Sequence, residues 1–263
     1  MSDTLSAVAL GLIEGLTEFL PISSTGHMII AGDLLGFTNS FSKLFEVVIQ
    51  MGAILAVCWL YREKLWRTLT GLGTQGEARV FARNVTLAFL PAVFIGLAAH
   101  DFIKRVLFTP SVVGWAFILG GLAILAAERW RPAPNCSSTE SMPVATAIKI
   151  GLFQCLAMIP GTSRSGATIV GALLLGVTRE AATEFSFFLA IPTMAGATAL
   201  DLWKARHDLG EAGWGLIAIG FVVAFMAALV VVRGLVGFVS RRGFAPFAWY
   251  RIAAGLVILY SVR

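Results

Sequence analysis

An all-α polytopic membrane protein is the fold this sequence predicts. Its 263 residues are 57% hydrophobic and only 13% charged, with a mean hydropathy of +0.83. Soluble chains average about 45–50% apolar and about 25% charged residues. Runs such as Trp115–Ala127 and Trp214–Val232 carry almost no charge over lengths approaching a bilayer crossing. They do not alternate, as the strands of a membrane barrel would, and the apolar content excludes disorder.

The chain opens with Leu5–Leu20, an apolar run of 16 residues broken by Pro21-Ile22-Ser23-Ser24, and a second short run, Thr25–Gly36, follows. At about 1.5 Å per residue neither arm comfortably crosses a hydrocarbon core of about 30 Å. The pair therefore predicts a re-entrant helical hairpin. Three crossings are expected next, at 42–62, 84–102 and 112–130. The hairpin shape recurs at 145–177, broken around Pro160-Gly161-Thr162-Ser163, and crossings at 182–204, 214–234 and 245–262 complete the chain.

An offset of 140 residues aligns the two hairpins without a gap. It pairs Gly11 with Gly151, Leu12 with Leu152, Leu16 with Leu156, Ser23 with Ser163 and Gly26 with Gly166. The register continues through Ile29/Ile169, Leu34/Leu174, Leu35/Leu175, Gly36/Gly176 and Phe45/Phe185. Residues 1–263 are thus expected to form a single membrane domain with halves at 1–135 and 145–263. Each half is one re-entrant hairpin plus three transmembrane helices. An odd number of crossings inverts the second half, giving an inverted-topology repeat.

The net charge of +5 is modest, and the basic residues sit between apolar segments. They read as topology signals rather than as a nucleic-acid footprint. One side would carry Arg62, Lys64, Arg67, Arg79, Arg83, Arg129, Arg131, Lys149, Arg179, Arg233, Arg241 and Arg242; the other, Lys43, Lys104, Arg105, Lys204, Arg206 and Arg263. The positive-inside rule puts the larger set in the cytoplasm and both termini outside. The first hairpin then enters from the outer face and the second from the cytoplasmic face, so their tips can meet within the membrane. Cys58, Cys136 and Cys155 are odd in number and lack CxxC spacing, so no disulfide set is expected. The start MSDTLSAVAL has neither a positive n-region nor an A-x-A site and does not read as a cleaved signal peptide.

Against this apolar background a few polar residues stand out. Glu14 and Glu18 are i,i+4 on one helix, so both carboxylates project from one face. In low dielectric they need a proton, a cation or an arginine, unless the arm lines a watery vestibule. Ser23, Ser24, Thr25, Gly26 and His27 follow, where a broken helix restarts. Hydroxyls and free N–H groups at such a start can hold an anion, although Ser and Thr are also ordinary caps there. A histidine within a turn of two hydroxyls and near two carboxylates suits acid–base or nucleophilic work.

The second tip, Pro160-Gly-Thr-Ser-Arg164-Ser-Gly-Ala-Thr168, brings an arginine into a stretch otherwise uncharged from Gln154 to Val177. Its planar fork fits phosphate oxygens, and a pairing with Glu14 or Glu18 is compatible with that use. Glu46 and Gln50, i,i+4 in the third segment, read equally as pocket residues or as structural hydrogen-bonding groups. Asp33, Asp101, Glu184 and Asp201 fall near segment ends and are expected at the interface.

The segment from Glu14 to His27, Glu-Gly-Leu-Thr-Glu-Phe-Leu-Pro-Ile-Ser-Ser-Thr-Gly-His, resembles the first signature of bacterial undecaprenyl-diphosphate phosphatases of the bacitracin-resistance type. Pro160–Thr168 resembles the second, and the flanks Phe45–Ala56 and Glu184–Leu202 are similar too, so the resemblance runs over nearly the whole chain. It implies a multi-pass enzyme of the bacterial inner membrane that converts undecaprenyl diphosphate to the monophosphate carrier of peptidoglycan synthesis, depriving bacitracin of its target. It also implies an outward-facing site, dependence on a divalent cation and a homodimer.

On this reading Arg164, Ser163, Thr168 and the second tip's N–H groups hold the diphosphate. Ser23, Thr25 and Ser165 add binding hydroxyls. Glu14 and Glu18 hold a Mg²⁺ or Ca²⁺ ion, or one of them serves as base. Ser24, Thr25 or a water attacks phosphorus, with His27 as acid–base or itself the nucleophile. Inverted repeats with broken helices also build secondary transporters, so a lipid-phosphate flippase is the alternative. Transport gains little from a histidine beside an acid pair and hydroxyls. A purely structural subunit would leave Arg164 and the acid pair without a purpose.

Overall fold

A computed structural model describes residues 2–37, 40–107, 109–205 and 213–261, with no side-chain placement for 40, 41, 43, 99–106, 204 and 205. The side chains of Lys43, Asp101, Lys104, Arg105 and Lys204, with all of Arg206 and Arg263, therefore lie outside the described residues. The elements in chain order are α1 (Asp3–Thr17), α2 (Ser24–Leu34), α3 (Ser40–Leu60), α4 (Arg62–Gly71), α5 (Gly76–Val106) and α6 (Pro110–Trp130). They continue with α7 (Val144–Gln154), a 3-10 turn (Cys155–Met158), α8 (Arg164–Leu174), α9 (Arg179–Ala205), α10 (Trp214–Arg242) and α11 (Ala245–Ser261). Among the described residues the only β-type pairing is an isolated parallel bridge between Cys136 and Val177.

The protein is an all-helical, multi-pass membrane protein. Four stretches are long and apolar enough to cross a bilayer: Gly76–Ala98, Pro110–Trp130, Arg179–Trp203 and Trp214–Arg242. A fifth arises if Leu44–Leu60 and Arg62–Gly71, bent by 72°, count as one. The expected crossing at 42–62 thus ends at Leu60, and the chain turns at Tyr61 into α4, an element the apolar pattern does not announce. Arg62, Glu63, Lys64 and Arg67 cannot continue into hydrocarbon, while the exposed Trp66 and Leu69 favour the interface. The expected crossing at 245–262 is a helix of 17 residues, about 26 Å long.

The arms around the two breaks are short: 15 residues in α1 and 11 each in α2, α7 and α8. Each first arm lies against a long helix distant in sequence, α1 on α10 and α7 on α5. These long helices in turn pack on α3 and α9, which also touch each other, while α6 pairs with α11. The glycines matched by the repeat make the close approaches. A Cβ on Gly11 would stand 2.6 Å from the Gly220 carbonyl oxygen, and one on Gly151 would stand 2.2 Å from that of Ala88. Small residues let helices meet backbone to backbone where lipid supplies no hydrophobic drive for association. The apolar core around Phe19, Val57, Phe187, Val232 and Phe244 then fills the space behind the tips. All three cysteines are free thiols.

A polar clasp fastens α4 to the segment joining α6 and α7. The Lys64 ammonium pairs with Glu140, donates to Thr139 Oγ1 at 2.8 Å and lies 3.6 Å from Glu184 of α9. It also sits over the rings of Phe81 and Phe188, at 5.2 and 4.9 Å from their centroids. Burial works against ionisation of Glu140, but Lys64, the Ser138 hydroxyl and its own backbone N–H override it and hold the carboxyl down at about 2. Because the folded value is depressed below the ordinary 4.5, the stabilisation is present above that value and lost as pH falls towards 2. Replacing Glu140 with Gln should lower the melting temperature at neutral pH, by an amount equivalent to about 1 kcal/mol for a partly exposed network. Thermal melts of both proteins should converge as pH is lowered; an undiminished gap at low pH would contradict the clasp.

Candidate active site

Both helix breaks restart in the same way. Ser23 and Ser163 have φ of 71° and 74°, the only non-glycine residues in the left-handed region among those described. Each precedes an 11-residue helix and caps it, with Ser23 Oγ accepting from the Gly26 N–H at 3.4 Å and Ser163 Oγ from the Gly166 N–H at 3.1 Å. The N–H groups of Ser24 and Thr25, and of Arg164 and Ser165, open the two helices without an acceptor among the described residues. Two helix starts with free donors and hydroxyls are thereby brought side by side.

Two contacts join the tips directly, and a third, within the first tip, completes the chain. Ser165 Oγ donates to the Leu20 carbonyl at 2.8 Å. Arg164 Nη2 donates to Glu18 Oε1 at 3.4 Å, the two side chains being 10% and 4% exposed. Ser24 Oγ donates to the other carboxylate oxygen, Glu18 Oε2. Arg164 is held from behind by the Ser186 carbonyl, 2.7 Å from Nη1, and stands over the Phe19 ring at 5.9 Å. Its Nε–H has no partner among the described residues. Glu18 thus bridges a hydroxyl of its own tip and the guanidinium of the other.

Glu18, Ser24 and Arg164 line an open cavity. Its polar wall is Glu18, Ser23, Ser24, Thr25, Ser163 and Arg164, joined by Gln50 and Gln154; Ala92, Met158, Met194 and Ala197 supply an apolar side. Gln50 is therefore a cavity residue. Glu14 lies behind Glu18, buried and within hydrogen-bonding reach of it, with Glu46 near enough to interact electrostatically. Glu14 Oε1 has no partner among the described residues.

Besides Glu14, three expected site residues stand outside the cavity wall. Ser165 and Thr168 are fully buried and do not line the cavity. Ser165 binds Leu20, and the Thr168 hydroxyl reaches the Arg164 and Ser165 carbonyls, both at 3.0 Å, and Ser186 Oγ at 2.8 Å. Both follow Arg164 on α8; the Ser165 hydroxyl turns to the first tip, and the Thr168 hydroxyl to α9. Their hydroxyls are engaged within the protein.

His27 is also absent from the wall. Its Nδ1 is 2.7 Å from the Ser23 carbonyl, so this nitrogen carries the proton, and Nε2 faces the Tyr250 hydroxyl at 2.5 Å. The imidazole stacks on the Tyr250 ring, 5.6 Å between centroids and 8° between planes. It ties the start of α2 to α11.

Two site residues escaped the sequence pattern. Gln154, buried at the end of α7, directs its Oε1 at the Thr193 hydroxyl, 3.3 Å away, and leaves Nε2 without a partner. Arg251, in the middle of α11, is fully buried and bonds to both tips. It is the sole charge in 245–262, and an isolated charge in an apolar run was signal enough to find it.

A carboxylate, a hydroxyl and an arginine gathered between two broken helices define a class: multi-pass membrane proteins built to handle an anionic group inside the bundle. The chain belongs to the family of the bacitracin resistance protein BacA, whose model matches residues 7–257. It is 57% identical over 256 residues to the undecaprenyl-diphosphatase of Rhizorhabdus wittichii, an alignment covering 97% of this chain and 96% of that one. With the undecaprenyl-diphosphatase of Methylococcus capsulatus it shares 56% identity over 263 residues, 100% of this chain and 96% of the relative. Undecaprenyl-diphosphatase 2 of Rhodospirillum rubrum is 56% identical over 256 residues, covering 97% and 93%.

The left-handed serines make a stability prediction. Ser163→Gly relieves about 1 kcal/mol of backbone strain and forfeits only a few tenths as a cap, so its melting temperature should equal or exceed that of the wild type. Ser163→Ala loses the cap, worth about 1 kcal/mol, and keeps the strain. Thermal unfolding in detergent should rank Gly above Ala; the reverse order would contradict the capped, left-handed geometry.

Proposed function

We propose that this chain is an undecaprenyl-diphosphate phosphatase and that its chemistry takes place where the two helix breaks meet. The observation that carries the reading is the continuous chain Ser24–Glu18–Arg164. A hydroxyl, a general base and an anion clamp share one carboxylate at the wall of the cavity. Glu18 Oε2 accepts the Ser24 proton as Ser24 Oγ forms a bond to the terminal phosphorus. The bond from that phosphorus to the bridging oxygen breaks, and undecaprenyl phosphate leaves. Water then hydrolyses the phosphoserine and releases inorganic phosphate. Arg164 Nε–H and the free N–H groups of Ser24, Thr25 and Arg164 stabilise the equatorial oxygens, with Ser23 and Ser163 as neighbouring hydroxyls. Thr25 lines the cavity but has no base beside it, and both His27 nitrogens are engaged, which favours Ser24 as nucleophile.

Glu14 and Glu18 are the carboxylates that would hold a Mg²⁺ or Ca²⁺ ion. Among the described residues no group of three or more His, Cys, Asp or Glu is arranged for a metal. Two carboxylates, one with the unpartnered Glu14 Oε1, suit an ion that takes its remaining ligands from substrate phosphate and water. Such an ion supplies positive charge for the phosphate oxygens.

The same reading takes residues 1–263 as one membrane domain of two inverted repeats, 1–135 and 145–263, each a re-entrant hairpin plus three crossings. Reciprocal packing of α1 on α10 and α7 on α5 supports it, as does the shared geometry of Ser23 and Ser163. The balance of loop charge favours an orientation in which the first hairpin enters from the outside, and the family supports the bacterial inner membrane, an outward-facing site, carrier-lipid recycling, bacitracin resistance and a homodimer. A flippase would use the anion cradle but has no need of a hydroxyl on a base.

Phosphate release from undecaprenyl diphosphate by the detergent-purified protein tests the proposal. Wild type should turn over, EDTA should stop it and added Mg²⁺ should restore it. Arg164→Ala and Glu18→Ala should each lose about 100-fold or more. Folded wild type that releases no phosphate with metal restored would overturn the enzyme reading and turn attention to lipid flipping in liposomes.

A further inference from the structure

We propose that Arg251 is a positioning residue for the reaction, fixing the two tips relative to each other without touching substrate. The proposal rests on the phosphatase reading. All five guanidinium N–H groups of Arg251 are engaged, each with a backbone carbonyl. Nε donates to Phe117 at 3.3 Å; Nη1 to Pro21 at 3.1 Å and Thr162 at 2.9 Å; Nη2 to Ala116 at 2.8 Å and Gly161 at 2.9 Å. The fork is the full donor inventory of an arginine. Its acceptors come from three places: the break before Ser23, the break before Ser163, and α6.

Anchoring α11 to α6 does not require a charge. An apolar side chain of similar size would pack there without the desolvation penalty of a buried guanidinium. None of the five acceptors is a carboxylate, so the arginine is held by carbonyl dipoles and by the Phe117 ring, 5.3 Å from its centroid, with no counter-charge among these partners. What it adds over an apolar residue is the gathering of carbonyls from both tips. The peptide group is planar and trans, so pinning the Thr162 oxygen directs the Ser163 N–H to the opposite side, away from Arg251. Ser163 lines the cavity and Arg251 does not.

Gly120 makes the arrangement sterically feasible. A Cβ there would stand 2.1 Å from Arg251 Nη2. This gives a variant that displaces the fork while keeping its charge, on a helix that contributes nothing to the cavity wall.

In the proposed reaction the nucleophile belongs to one tip and the phosphate clamp to the other, so a small shift between them weakens attack more than binding. Misplacement by about 1 Å can cost about 100-fold in rate. The test measures kcat and KM for undecaprenyl diphosphate in Arg251→Lys, Arg251→Met and Gly120→Ala, normalised to monodisperse protein with an intact melting transition. Lysine has three donors on a point charge and cannot replace the planar fork. Arg251→Lys and Gly120→Ala should each lower kcat about 10- to 100-fold, with KM changed far less, and Lys should retain more activity than Met.

A structural role alone would lower the melting temperature or the folded fraction and leave kcat of the folded protein unchanged. Wild-type kcat in folded Arg251→Lys and Gly120→Ala would therefore overturn the proposal. A loss expressed in KM alone would overturn it too, since that result assigns Arg251 to substrate binding. Inactive wild type would instead mean that the phosphatase reading has failed.

Discussion

Two broken helices leave carbonyl groups without donors inside an apolar bundle, and Arg251 answers that need. In water such groups would be solvated, but in the interior of a membrane protein each must find a partner within the chain. The carbonyls of Pro21, Gly161 and Thr162 lie at the breaks, and a single guanidinium supplies their hydrogen bonds. The exchange is mutual, because a buried cation with five donors needs acceptors as much as the breaks need donors. Both re-starting helices are thereby referred to one fixed point on α6. The short first arms, α1 and α7, are held from outside by α10 and α5 through glycine contacts.

Arg164 meets the same constraint in a different way. It has a carboxylate, Glu18, and one carbonyl, Ser186, and it keeps an N–H in reserve. Arg251 is saturated and Arg164 is not. That asymmetry separates a group that holds structure from one that can receive a ligand. Glu18 shows the complementary state, since its two oxygens are divided between Ser24 and Arg164. In the proposed reaction, proton acceptance from the hydroxyl and charge balance with the guanidinium thus fall on the same carboxylate, which would couple nucleophile and clamp.

Much of this was legible in the sequence, for physical reasons that also mark the limits. The absence of charge over long runs gave helical crossings, and the Pro-Ser breaks gave the tips. The isolated Glu18 and Arg164 stood out because ionisable groups are costly in apolar helices. Arg251 stands out by the same rule, yet with no motif of Ser, Thr and Gly around it the residue reads as part of an ordinary crossing. Which way a side chain points within the first turn after a break was not legible. Ser165 turns towards Leu20, Thr168 towards α9 and His27 towards Tyr250, because the exact starting residue of each helix sets the face. The bend into α4 depends on charges that read equally well as a loop.

The central claim is that the two tips form one chemical unit across Glu18 and Arg164. A double-mutant cycle measures that coupling most directly. It compares phosphate turnover in Glu18→Gln, Arg164→Lys and the double variant, each verified as folded. The account predicts strong non-additivity, with the double variant little worse than the worse single one, as for residues that act together. Losses that simply multiply would contradict it and assign Glu18 and Arg164 to independent sites.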